Sequence, residues 1–116
     1  MGIRNGREVR ELSGERLIEY DRRMGEINAR WPAANIQDFV DHIDYAVNLI
    51  GIDHVGISSD FDGGGGIVGW SDASETLNVT LELLRRGYNQ DQIKKLWGEN
   101  LLRVWKEVER VASGLN

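Results

Sequence analysis

Of the 116 residues, one short run alone, His54-Val55-Gly56-Ile57-Ser58-Ser59, reads as a β-strand. It is β-branched in part and bounded by turn-forming residues, with Asp60 at its C-terminal end. A solitary strand leaves its backbone N–H and C=O groups without ladder partners, and burying them unpaired is costly. It must therefore join strands supplied by another chain or by further sequence.

The rest of the chain follows the helical period. Leu17, Tyr20, Met24 and Ile27 make an amphipathic helix of Gly14 to Asn28, which Trp31-Pro32 stops. Asn35 can cap a second helix with Ile36, Phe39, Val40, Ile43, Val47 and Ile50 on one face and Asp38, Asp41 and Asp44 on the other. Gly51 stands where such a helix ends. After the strand, Asp60 to Asp72 is a loop containing the run Gly63 to Gly66, read as a flexible cover over a pocket. Asp72 and Glu75 resemble a capping box for a helix carrying Leu77, Leu81 and Leu84 and closed by Gly87. Asn89 and Gln92 repeat that pattern. The last helical stretch, to about Ala112, puts Ile93, Leu96, Trp97, Leu101, Val104, Trp105 and Val108 on one side, with Gly98 as a break point. Met1 to Leu12 has no clear period and reads as a loose lead-in. Helix, loop, strand, loop, helix is the α/β order that builds parallel sheets. The apolar stripes are richer than 116 residues around one strand can cover, which points to a missing neighbour.

Composition removes several function classes. The formal net charge is −5, and the basic residues are interleaved with acids, which argues against a nucleic-acid surface. The absence of cysteine excludes disulfides, thiolate metal sites and cysteine nucleophiles. No apolar run approaches the roughly 18 residues of a membrane span. His42 and His54 have neither H-x-H nor H-E-x-x-H spacing and read as packed or hydrogen-bonded histidines, not ligands. No serine lies in a G-x-S-x-G elbow, and no phosphate-binding glycine motif sits between strand and helix. A calcium loop starting at Asp60 fails at its fifth and twelfth positions, Gly64 and Ser71. Of the tryptophans, Trp31, Trp97 and Trp105 are core candidates, while Trp70 could serve as lid, substrate contact or core.

Asp60 is the chemistry-bearing residue. An acid at the carboxyl end of a buried strand faces the mouth of a parallel sheet, where catalytic groups project. By position alone it could equally be a turn-forming residue, and Asp62 is better explained as one. The glycines after it, Gly63 and Gly64, would let substrate approach the backbone.

Five blocks, Asp41-His42-Ile43-Asp44-Tyr45, Gly51-Ile52-Asp53-His54-Val55-Gly56-Ile57, Ser59-Asp60-Phe61-Asp62-Gly63, Leu83-Leu84-Arg85-Arg86-Gly87-Tyr88 and Asn100-Leu101-Leu102-Arg103-Val104, resemble the C-terminal region of the membrane dipeptidase (renal dipeptidase, peptidase M19) family. The likeness runs from about Pro32 to Val111. It implies the C-terminal part of a (β/α)₈ barrel of the metal-dependent hydrolase type, mostly helical here. Residues 1–34 would be a helical insertion or lead-in, and residues 35–116 the last barrel strand with its flanking helices. The implied activity is hydrolysis of dipeptides at a two-zinc centre. Zinc would activate a bridging water, and Asp60, matching the aspartate that ends the eighth strand, would move the proton and contact substrate. None of the family's zinc-ligand positions matches a residue here, so no metal ligand is expected in this chain. The implied partners are a dipeptide substrate and either the remainder of the barrel or a second copy. Alone, the chain is expected to be inactive; the competing readings are a non-catalytic helical interaction module and one half of a split enzyme. The compartment is left open.

Overall fold

A computed structural model of the protein describes residues 11–115. The part of the lead-in at residues 1–10 lies outside the described residues. The chain divides into two compact units, residues 1–33 and 34–116.

In the first unit, α1 spans Gly14–Arg30. Its C-terminal turn is closed by the Trp31 N–H bonding Ile27 O at 2.7 Å, where Pro32 forbids continuation. Arg22 and Arg23 both pair with Glu19, about one turn away along an exposed face. No residue of α1 is buried.

The second unit holds the core. Helix α2, Ile36–Ile50, starts with a reciprocal capping box: Asn35 Oδ1 accepts from the Asp38 N–H, and Asp38 accepts from the Asn35 N–H. It ends at Gly51, whose φ of 88° is open to glycine at little cost. A 3₁₀ turn, Ile52–His54, follows. Helix α3 spans Thr76–Arg85 behind a 3₁₀ turn at Ala73–Glu75. Helix α4, Gln90–Lys94, begins with the Asn89–Gln92 capping box. It runs through a wide π-type turn at Lys95–Glu99 into α5, Asn100–Ser113. Gly98, the expected break point, is the residue with non-helical backbone there.

The expected strand is not part of a sheet: among the described residues there are two isolated bridges, Asn35 with Val68 and Ile67 with Trp70, and no ladder. His54 belongs to the 3₁₀ turn, and Val55 onward is extended chain. The residues do favour extension. Val55 has φ −111° and ψ 136°, and Val55, Ile57 and Ser59 alternate with exposed Gly56, Ser58 and Asp60. Among the described residues no neighbouring strand exchanges hydrogen bonds with it, and the described chain is mostly helical.

The core comprises Ile36, Val40 and Ile43 of α2, Val55, Trp70, Val79 and Leu83 of α3, Ile93 and Leu96. This corrects two expectations. On α3 the expected stripe Leu77, Leu81 and Leu84 is exposed, and Val79 and Leu83 face inward. On the last helical stretch Ile93 and Leu96 are buried, whereas Leu101, Val104, Trp105 and Val108 are exposed. Both stretches are apolar on more than one face, and this unit covers only one. Of the tryptophans expected in the core, Trp97 packs against it, whereas Trp31 and Trp105 are exposed; Trp70, for which lid, substrate contact and core were all open, is buried. Trp70 packs among Phe39, Phe61 and Trp97, with ring centroids 5.2, 5.4 and 6.0 Å away, and its indole N–H donates to Thr76 Oγ1. It is a core residue, not a lid.

Candidate functional site

The extended segment delivers Asp60 to the start of the glycine loop. Asp60 has φ 53°, a left-handed conformation that aspartate tolerates better than most residues. Its carbonyl accepts from the N–H groups of Gly63 at 3.0 Å and Gly65 at 2.7 Å, which folds residues 60–65 into a tight turn. The turn demands glycine by close approach at Gly65, where a Cβ would sit 2.0 Å from Ser59 O; at Gly63 a Cβ would meet only the Asp60 carboxylate, 2.2 Å from Oδ1, which would have to swing aside. The loop is thus folded onto the end of the segment rather than draped loosely as its composition suggests. Farther on, Ile67 and Trp70 exchange two backbone bonds, and Val68 bonds back to Ala34 and Ile36, tying the loop to the start of α2.

The Asp60 side chain is exposed, where a carboxylate inside a closed barrel mouth was expected. No strand lies beside the segment among the described residues to form that mouth. Its carboxylate rests over Gly63. The Gly63 N–H is committed to the turn, whereas Gly64 is exposed and has no atom within 4 Å of where a Cβ would be. Asp62 is exposed in the same turn. At the opposite end of the segment, Asp53, His54, Val55, Gly56, Asn100 and Arg103 line an open concavity of about 310 Å³.

His42 lies on α2 with Nδ1 2.8 Å from Asp38 O, and His54 is exposed in the 3₁₀ turn. Among the described residues no three histidine, aspartate or glutamate side chains come together in a way that could hold a metal ion. A two-zinc centre requires several such donors, so the residues described do not fit one.

A model of the family "membrane dipeptidase (peptidase family M19)" matches residues 17–116. The chain belongs to this family. The M19 chain is 46% identical over 84 residues to dipeptidase aclJ of Aspergillus oryzae, covering 72% of this chain and 20% of that protein. It is 41% identical over 81 residues to dipeptidase tcpJ of Claviceps purpurea, covering 69% and 19%. Among solved structures it is similar to the crystal structure of the probable dipeptidase PvdM from Pseudomonas aeruginosa, with a TM-score of 0.69 and 50% identity over 85% of this chain and 25% of that one. The M19 chain thus spans about a fifth of the length of these curated relatives.

Two sets of residues in the M19 chain escaped the sequence reading. Asn100 is buried, and its amide donates to Ile52 O at 2.7 Å and Val55 O at 2.9 Å. Arg86 pairs with Glu82, Asp41 and Asp44 and donates to Gln37 O, locking α3 to α2. Tyr88 Oη donates to the other oxygen of Asp44, and burial, followed by that bond, raises its pKa. Side-chain bonds from Arg85 and then Arg86 lower the Glu82 pKa to about 2, outweighing its burial. The available signal was the density of Arg, Glu and Tyr within Glu82 to Tyr88, too common a composition to single out one hub.

Proposed function

We propose that this chain is the portion of a metal-dependent dipeptidase that carries its proton-transfer carboxylate, Asp60, at the end of the last strand of a (β/α)₈ barrel. The observation that carries the reading is the delivery of Asp60 by an alternating, extended segment onto a glycine turn, in a chain of the M19 family. Dipeptide hydrolysis needs a group that takes a proton from the attacking water and returns it to the leaving amine. A carboxylate at the mouth of a parallel sheet is suited to that task. Asp60 fills this role in the proposal, and Gly64, with open space around it, gives the substrate backbone room to approach. The zinc donors come from sequence other than the described residues, so the isolated chain neither hydrolyses dipeptides nor binds zinc tightly.

The test is Asp60→Asn in a longer dipeptidase that contains this segment. Asparagine tolerates the left-handed backbone at least as well as aspartate, so the substitution removes the acid–base group without straining the turn. Turnover should fall by about 100-fold or more while metal content is retained. Loss of zinc would make Asp60 a ligand, and unchanged turnover would remove it from the chemistry.

A further inference from the structure

The segment that leads to Asp60 has no sheet beside it among the described residues, yet the C-terminal helical arm fixes its backbone at three points. Asn100 Nδ2 donates to Ile52 O and to Val55 O, bracketing the 3₁₀ turn where the segment begins. The third point is the Ile57 N–H, which donates to Leu96 O at 3.0 Å. Both anchors arise from the wide turn at Lys95–Glu99. There the Asn100 N–H bonds Lys95 O, five residues back, instead of Leu96 O. A regular helix would direct that N–H to Leu96 O. The π-type turn leaves that carbonyl to the segment and sets the Asn100 side chain under the 3₁₀ turn. Turns of this kind recur at functional sites. From Ile57 the extended chain runs three more residues, about 10 Å, to Asp60, whose carbonyl is held by Gly63 and Gly65. A shift at the anchors therefore has only three residues of extended chain through which to reach the carboxylate.

We propose that Asn100 is a positioning residue for Asp60, acting through the Ile52–Ile57 backbone; this rests on the reading of Asp60 as the proton carrier. The deciding substitution is Asn100→Asp, which keeps the side-chain shape but removes both donors and turns a carboxylate toward two carbonyls. It is made alone and together with Asp60→Asn in a longer dipeptidase containing this segment. Asn100→Asp should lower kcat by about 100-fold, the cost of a misplacement near 1 Å, with KM little changed. In the Asp60→Asn background it should cause no further loss. An equal loss in both backgrounds, or an unchanged kcat, would overturn the proposal. Should Asp60→Asn itself keep full turnover, the underlying reading fails in its own arm and the proposal falls with it. A second variant guards against misfolding: Asn100→Ser in the 116-residue chain, followed by amide NMR. The resonances of Ile57, Gly63 and Gly65 should shift together while those of α2 stay in place. A change confined to Ile57 would show that the anchor does not reach Asp60.

Discussion

At the scale of single residues, the glycine turn after Asp60 has the sharpest steric requirement. A methyl group on Gly65 would stand 2.0 Å from a backbone oxygen, which cannot yield as a flexible side chain would. Gly65→Ala should cost more than about 1 kcal/mol, read as a lowered urea midpoint, and should displace Asp60. Glu82 gives a pH signature. Its folded pKa is lowered to about 2 from an ordinary 4.5 by bonds from Arg85 and Arg86. The stabilisation is therefore present above about pH 4.5 and is lost as pH falls toward 2. Glu82→Gln should remove that part of the acid-induced loss of stability, and an unchanged acid slope in denaturation at stepped pH would show that the pair contributes nothing. Asp60 stood out in the sequence because it ends the only strand-like run and matches a family block; its place at the start of the glycine turn is what the structure adds, and its chemical role rests on the proposal. Asn100 and Arg86 did not stand out, because their partners are backbone carbonyls and carboxylates some 40 to 50 positions away, a separation that periodicity does not encode.

At the scale of elements, caps and stops were the most readable features. Asn35, Gly51, Asn89 and Gly98 act where their chemistry places them. The box read at Asp72 and Glu75 is split in practice: Asp72 Oδ1 accepts from the Ser74 N–H, and Glu75 reaches back to the N–H of Ser71. Which apolar face turns inward was not readable on α3, because Leu77, Leu81 and Leu84 offer as good a stripe as Val79 and Leu83. The glycine loop was misread for a related reason: composition reports freedom, whereas the close approach of Gly63 and Gly65 to residues 59–60 reports constraint. The α3 assignment yields a contrast. Leu83→Ala, at a fully buried position, should cost about 2–5 kcal/mol, while Leu81→Ala, half exposed, should stay within about 0.5 kcal/mol. Equal losses in urea denaturation of the chain would mean that α3 turns its other face inward.

At the scale of the whole molecule, the second unit is mostly helical, its extended segment from Val55 to Asp60 has no sheet beside it among the described residues, and apolar residues on α3 and α5 remain exposed. A lone strand-like run and overly rich stripes announced both features. No helix among the described residues is long and apolar enough to cross a membrane. The central proposal is that this M19 chain brings a proton-transfer carboxylate to a dipeptidase centre whose metal donors are not among the described residues. Titration of the purified 116-residue chain with zinc, with hydrolysis of a simple dipeptide followed in the same samples, tests that claim most directly. The account predicts neither tight zinc binding nor turnover; stoichiometric binding of two zinc ions with clear hydrolysis would contradict it.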